Sequence, residues 1–270
     1  MSWIKGEEFD FNCLLLFERF QIKMILEDKD ERAEYSKNLG IALKYNPAIK
    51  WYFSKRCPEC EDFIEKIVAH AREVSSEEVR KAEIYILESL CDYVVYANPE
   101  IMDSTCDWIY AWDKSRLYEL VDLKDKIVLD IGSGSGRLAF AAAEKAAWVY
   151  ASEPVDTLRE YMRDKIKKDG ITNMRVVDGM ILNLPYPDNT FDIVMSAHVG
   201  GDDNEAEKAE MTRVCKSGGW IIDCPGEGGD DYPGKSEDNW VEISDDGWEC
   251  FYYKSTLGGY NCRVRKQIFK

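Results

Sequence analysis

The sequence of 270 residues predicts an α/β fold with a mostly parallel sheet, preceded by an all-helical N-terminal domain. Three observations predict it. Val128 to Phe140, VLDIGSGSGRLAF, is an apolar run ending in Asp130, then Gly132, Gly134 and Gly136, then a helix-compatible segment; a doubly buried parallel strand, a tight turn and a helix have this pattern. Ala147 to Glu153 and Met174 to Asp178 have the composition of a second and a third short strand. Before about residue 122 the pattern is helical, with Pro47, Pro58 and Pro99 as punctuation.

In the helical part, Phe9 to Asp28 carries Leu14, Phe17, Met24 and Ile25 as an apolar stripe interrupted by charges. Ser75 followed by Glu78 is a capping-box signal. The run from Ser76 to about Tyr96 then places Val79, Leu87, Leu90 and Val94 near one helix face, and Asn98-Pro99 ends it. The division falls at Asp122 to Asp125, so that residues 1–124 form a helical cap or substrate domain and residues 125–270 the α/β domain. No internal repeat or low-complexity tract interrupts either part.

The turn after the first strand is the most informative element. Without Cβ atoms, Gly132, Gly134 and Gly136 accept positive φ and let a ligand lie against the backbone, beside the amide-rich start of a helix running from Arg137 to about Ala146. The dinucleotide fingerprint G-x-G-x-x-G requires its third glycine at position 137, where this chain has Arg137. The alternating D-x-G-x-G-x-G from Asp130 instead resembles motif I of the class I S-adenosylmethionine-dependent methyltransferases. The resemblance extends in family order over roughly Asp125 to Pro225. Glu153 ends the second strand 23 positions after Asp130. Asp178, Gly179 and Met180 follow the third, Leu184 to Val199 matches the family's loop and fourth strand, and Val214 to Asp223 its glycine turn into strand five, with Ser217 where proline is frequent.

This resemblance implies a Rossmann-like, seven-stranded methyltransferase sheet whose last two strands pair antiparallel at the edge. Trp248 to Ser255 and Cys262 to Phe269, around Leu257-Gly258-Gly259-Tyr260, supply that hairpin. Trp240 to Asp246 is ambiguous, and the usual helix between strands five and six has little room. Ligands of such sheets bind at the carboxyl ends of the strands, where strand order reverses. The resemblance therefore implies S-adenosyl-L-methionine as cofactor, its methionine and ribose part held by Asp130, Gly132, Ser133, Gly134 and Gly136. It implies further that Glu153, beside Pro154, takes the ribose hydroxyls, that Asp178, Gly179 and Met180 hold adenine, and that Ser196 and Ala197 lie beside the sulfonium.

For the acceptor half the sequence is less explicit. His198, one of two histidines, is the candidate base should the nucleophile lose a proton during attack; an ordinary loop histidine is the plainer reading. His70, beside Ile67 and Val68, is assigned a structural role. Met102 to Leu117 precedes strand one, where family members place a helix over the cofactor; Tyr110, Trp112 and Arg116 are the candidate substrate contacts, and packing between domains is the competing role. Asp202, Asp203, Glu205, Glu227, Asp230 and Asp231 crowd the same rim, suited to a cationic amine or a divalent ion, or simply to water.

Composition narrows the function classes. Fifty-one acids against 35 bases give a net charge of −16, which disfavours a polyanionic partner, because proteins that track nucleic acid present a basic face. The basic residues from Arg159 to Lys168 have the spacing of a solvated helix face. No apolar run approaches the roughly 18 residues of a membrane span, and no secretory signal is visible. Nine cysteines then point to a reducing compartment, and a cytoplasmic location is expected. Cys57-Pro58-Glu59-Cys60 is a lone C-x-x-C that Cys91, Cys106 or His70 would have to complete as a metal site, and no metal is assigned.

The expected function is methyl transfer from S-adenosylmethionine to a small-molecule acceptor, cationic or an amine if the acidic rim recognises it, with no nucleic acid or membrane partner and the oligomeric state open. Three alternatives remain: a module that binds the cofactor without turnover, since Ser196-Ala197-His198-Val199 stands where an acceptor-specific N-P-P-Y type motif would; a nicotinamide oxidoreductase, opposed by the glycine spacing; and a methyltransferase acting on protein or RNA.

Overall fold

The computed structural model of the chain describes residues 4–27, 33–106, 109, 111–199, 204–229 and 239–270. They fall into two compact units, Met1–Pro99 and Glu100–Lys270.

The first unit is helical: α1 (Arg19–Glu27), α2 (Ala33–Tyr45), α3 (Pro47–Arg56), α4 (Glu61–His70), α5 (Ser76–Ser89) and α6 (Cys91–Tyr96). Pro47 opens α3 and Pro58 the short 3-10 turn Pro58–Cys60 before α4, positions where the missing N–H has no intrahelical partner to lose. The apolar stripe of Phe9 to Asp28 is divided between a 3-10 run, Phe11–Leu16, and α1. The break has a local cause, because the Glu18 N–H donates to the Gln21 side chain at 2.9 Å and so caps α1. Leu14, Phe17 and Ile25 of that stripe are buried. The capping box of α5 is formed, with Glu78 N–H donating to Ser75 Oγ (3.3 Å) and Ser75 N–H to Glu78 Oε2 (3.2 Å). The single helix expected to Tyr96 is interrupted at Leu90, whose φ of −111° and ψ of 22° lie off the helical values. Gly40 fixes the spacing of α2 and α4, since a Cβ there would stand 2.5 Å from the Ile67 carbonyl oxygen.

The second unit begins before the division read from sequence. It opens with α7 (Pro99–Thr105) and α8 (Ser115–Tyr118), and Leu117, Leu120, Val121 and Leu123 share one core with Val128 of the first strand. Of the segment Met102–Leu117, the residues to Thr105, Ile109 and those from Ser115 are helical, and Ala111 to Lys114 are not. Then come β1 (Ile127–Ile131), α9 (Arg137–Ala143), β2 (Trp148–Ser152), α10 (Asp156–Asp169), β3 (Met174–Val177), β4 (Phe191–Ser196), α11 (Asn204–Val214), β5 (Cys215–Asp223), β6 (Asn239–Ile243), β7 (Glu249–Lys254) and β8 (Tyr260–Gln267).

The sheet order is β3-β2-β1-β4-β5-β8-β7-β6. The first five strands are parallel and the last three antiparallel. Eight strands replace the seven expected, because Asn239–Ile243 pairs with β7 in the register Val241↔Phe251. This edge strand is mostly exposed on both faces, so it carries no alternation for a sequence to display. The central strands do carry their signal: Val128 enters one buried cluster and Leu129 and Ile131 the other, as a strand covered on both faces requires. Among the described residues no helix is long and apolar enough to cross a membrane.

Candidate active site

Strand order reverses between β1 and β4, and the chain places its glycine turn there. Gly132, Gly134 and Gly136 have φ of 61°, 58° and 97°, a region that side chains other than glycine seldom adopt. Hydrogen bonds pin the turn to its neighbour, with Ser133 N–H donating to the Ser152 carbonyl (3.1 Å) and Gly136 N–H to the Ser133 carbonyl (2.8 Å). Ser133 Oγ donates to the Asp130 carbonyl at 3.0 Å.

Two buried carboxyl groups flank this turn. Asp130 is 1% exposed and its Oδ2 has no hydrogen-bond partner. Burial pushes its pKa up to about 7, against the opposing pull of Ser133 and Arg137. Glu153, at the end of β2, is 4% exposed. Its Oε2 accepts from Gly134 N–H (2.9 Å) and its Oε1 from Val155 N–H (2.8 Å). Burial raises it as well, to about 7, although those two N–H groups favour the carboxylate. Each oxygen retains a second lone pair for a further donor.

The rim beyond β2 and β3 is open. Asp178 is exposed and Met180 is 43% exposed. Arg159 braces this corner, donating to the Glu153 carbonyl (2.8 Å), Asp178 Oδ1 (3.3 Å) and Asp156 Oδ1 (3.0 Å). Its side chain is only 11% exposed, which corrects the reading of Arg159 as part of a solvated helix face. Lys167 and Lys168, in the last turn of α10, do fit that reading. Pro154 and Gly179 lie at the same strand ends, half-buried. A Cβ on Gly179 would meet Pro185 at 3.0 Å and Ser152 Oγ at 3.3 Å.

At the ends of β4 and β5, Ser196 Oγ donates to Asp223 Oδ1 (3.1 Å) and Cys224 N–H to the Ser196 carbonyl (2.9 Å). Arg137, the first residue of α9, reaches across and donates to the Cys224 carbonyl at 2.9 Å. Its guanidinium lies 4.4 Å from the Trp112 ring centroid. Burial lowers its pKa, while Cys224, Asp130, Tyr253 and Asp223 favour the charged form. Burial raises Asp223, opposed by Ser196 and Arg137. Arg137 thus joins the donor turn to the end of β5. Its only trace in the sequence was a non-glycine residue where the dinucleotide fingerprint demands glycine.

His198 follows β4 with φ of 57°. It is solvent-exposed along one side, yet packing against the protein and the Arg137 charge hold its pKa below the usual histidine range. Its Nε2 accepts from Gly226 N–H at 3.3 Å, which assigns the ring proton of the neutral form to Nδ1. Val199 lies over the glycine turn, its Cγ2 only 2.5 Å from where a Gly132 Cβ would be. Ala197 is half-buried beside it.

The acceptor-side candidates are partly assembled. Trp112 packs against the β1 core, and Arg116 stacks on Tyr253 at 4.3 Å with its Nε 3.8 Å from Glu227 Oε1. Glu227 does not belong to an acidic rim: it is 3% exposed, and its Oε2 accepts from Ser255 Oγ (2.8 Å) and Thr256 N–H (3.1 Å). Glu205 is exposed in the first turn of α11. Tyr110, Asp202, Asp203, Asp230 and Asp231 lie outside the described residues. His70 is exposed, with Nδ1 2.6 Å from the Lys66 carbonyl oxygen.

Residues 128–219 match the protein family described as a methyltransferase domain. That stretch is a class I methyltransferase domain. S-adenosylmethionine is the methyl donor of this domain class. Over 145 residues the chain is 33% identical to an uncharacterised methyltransferase of Schizosaccharomyces pombe, covering 48% of this chain and 51% of that one. It is 28% identical to a demethylmenaquinone methyltransferase of Geobacillus over 41% of this chain and 50% of that one. A solved methyltransferase of Aquifex aeolicus aligns with TM-score 0.46 and 18% identity, over 62% of this chain and 97% of that chain. The chain spans about half the length of these two curated relatives, and a quarter of a Methanocaldococcus jannaschii protein to which it is 39% identical.

The methyltransferase domain offers groups that fit the cofactor. Asp130 has a carboxylate oxygen without a partner, and exposed Met180 and Asp178 flank the rim, while in this structure Val199 covers Gly132 and Phe140 covers Gly136.

Proposed function

We propose that the protein transfers the methyl group of S-adenosylmethionine to a small-molecule acceptor at the ends of β4 and β5. The convergence of the glycine turn, Asp130 and Glu153 at the β1/β4 switch point carries this reading. When bound, the sulfonium supplies an electrophilic methyl group and a neutral thioether leaving group, so the protein's task is largely positioning and exclusion of water. The turn backbone with Asp130, Ser133 and Gly136 receives the methionine and ribose part. Glu153, whose oxygens each have an open lone pair, accepts the ribose hydroxyls, with Pro154 shaping the edge. Asp178 and Gly179 face the adenine edge and Met180 packs on its ring. Ser196 and Ala197 border the sulfur. A ligand lying against Gly132 displaces Val199, so the segment 196–199 moves on binding.

On the acceptor side, Trp112 and Arg116 form the wall and His198 is the candidate base. For His198 to take a proton at Nε2 it gives up the Gly226 N–H, and its lowered pKa leaves it neutral at pH 7. A small acceptor accords with the net charge of −16, which disfavours nucleic acid. The occupied Nε2 is the observation favouring a cofactor-binding module without turnover.

Calorimetry tests the donor half: tight binding of S-adenosylhomocysteine without NAD(H) binding is expected, and the reverse overturns the proposal. Release of S-adenosylhomocysteine with a panel of small amines, thiols and hydroxyl compounds tests turnover. With an acceptor in hand, His198→Ala should lower kcat at unchanged S-adenosylhomocysteine affinity; unchanged kcat removes His198 from the chemistry.

A further inference from the structure

The first unit holds a pair of thiols that the methyl-transfer reading does not use. Cys57 and Cys60 are 0% and 4% exposed, and their sulfurs stand 3.4 Å apart. The Cys60 N–H donates to the Cys57 carbonyl at 3.0 Å, closing a turn whose first and last Cα atoms lie within about 7 Å. A disulfide spans such a separation, and forming its bond of about 2.05 Å asks the sulfurs to approach by roughly 1.4 Å, within reach of side-chain rotation. Pro58, second in the turn, holds the backbone in this shape. Among the described residues no group of three or more metal-ligating side chains converges.

A polar clasp covers the turn. Arg19 is ion-paired with Glu59 and donates to the Arg56 carbonyl (2.7 Å), and Arg56 donates to Glu18 Oε2 (2.7 Å). Glu18 and Arg19, at the start of α1, thus hold Arg56 just before the C-x-x-C and Glu59 within it.

We propose that Cys57 and Cys60 form a redox-active dithiol that closes to an intrachain disulfide by exchange with a low-molecular-weight disulfide. Cys60, the residue with some solvent exposure, attacks first as thiolate; a mixed disulfide forms and one small thiol leaves. Cys57 then displaces the second half. The protein loses two S–H bonds and gains one S–S bond, while the oxidant's S–S bond is reduced to two thiols that carry the two protons. Burial, the Cys60 thiol and Glu59 push the Cys57 thiol up to about 12. Its thiolate is therefore scarce at neutral pH, and ring closure is slow.

The test uses the full chain, equilibrated in glutathione and glutathione disulfide, acid-quenched, alkylated and digested with trypsin. Cleavage after Arg56 and Lys66 leaves both cysteines in the peptide Cys57–Lys66. With rising glutathione disulfide this peptide should lose both alkylation sites together and become two hydrogens lighter, reversibly with dithiothreitol. Cys57→Ser and Cys60→Ser should each leave one cysteine that is alkylated or carries a single glutathione. A native peptide that stays doubly alkylated in excess glutathione disulfide, or that stops at one glutathione adduct, overturns the proposal. Because no arm reads activity, failure here is distinct from failure of the methyltransferase reading.

Discussion

Glu153→Gln tests the site through its protons. In the wild-type protein Glu153 titrates at about 7 when folded, against an ordinary value of 4.5. The folded state therefore binds more protons than the unfolded state between these two values, and stability falls as pH rises. The contribution is fully present below about pH 4.5 and lost as pH passes 7. Within that window one such group changes unfolding free energy by up to about 1.4 kcal/mol per pH unit. Glutamine has no proton to lose, so the substitution removes this slope. It also turns an NH2 group toward one of the two backbone N–H donors, from Gly134 or Val155, and leaving that buried donor unpaired costs about 1–3 kcal/mol at every pH.

Urea unfolding of both proteins at pH 5, 6, 7 and 8 separates the two effects. The difference curve reports Glu153 together with the part of the Asp130 shift that its charge causes, because His198 and the surface carboxylates are common to both proteins. A difference that narrows by several tenths to about 1.4 kcal/mol per unit from pH 5 to 7 and then levels is expected. Parallel pH profiles refute the reasoning. The same carboxyl gives a second readout under the proposed function: ribose hydroxyls donating to it favour the carboxylate, so S-adenosylhomocysteine binding should release protons near pH 7 and tighten from pH 6 to 8. Calorimetry in buffers of different ionisation enthalpy measures this release, which Glu153→Gln should abolish.

Gly132→Ala places a Cβ 2.5 Å from Val199 at φ 61°; we expect a loss of about 1–3 kcal/mol in stability and of measurable S-adenosylhomocysteine binding, checked by thermal melts and calorimetry. Arg137→Met removes the donor to the Cys224 carbonyl and the cation near Asp130 and Asp223, so destabilisation of order 3 kcal/mol at pH 7, smaller at pH 5 where Asp130 holds its proton, should appear in urea titrations. Ser75→Ala breaks the capping box of α5 and should cost about 1 kcal/mol without altering S-adenosylhomocysteine affinity, as measured by unfolding and calorimetry.

These perturbations divide along the line between what the chain displays locally and what only the fold assembles. The strand–turn–helix around Asp130 was legible because a doubly buried strand must be apolar throughout and a left-handed turn must use glycine; both constraints act on consecutive residues. The α5 cap was legible for the same reason, since Ser75 and Glu78 are one helical turn apart. The edge strand Asn239–Ile243 was not, because exposure on both faces removes the alternation that burial imposes. Arg137 escaped for a different reason. Its partners are the Trp112 ring, the Cys224 carbonyl and the carboxyls of Asp130 and Asp223, and no periodicity links positions so far apart in the chain. Glu227 shows how composition misleads: in a chain of net charge −16 a further acid reads as solvated surface, yet its carboxylate is enclosed by Ser255, Thr256 and Arg116. The cofactor half of the candidate site is written in short contiguous segments, each at the end of a strand. The acceptor half is built from contacts across strands β4, β5 and β7, so its chemistry depends on side chains whose proximity only the folded sheet creates.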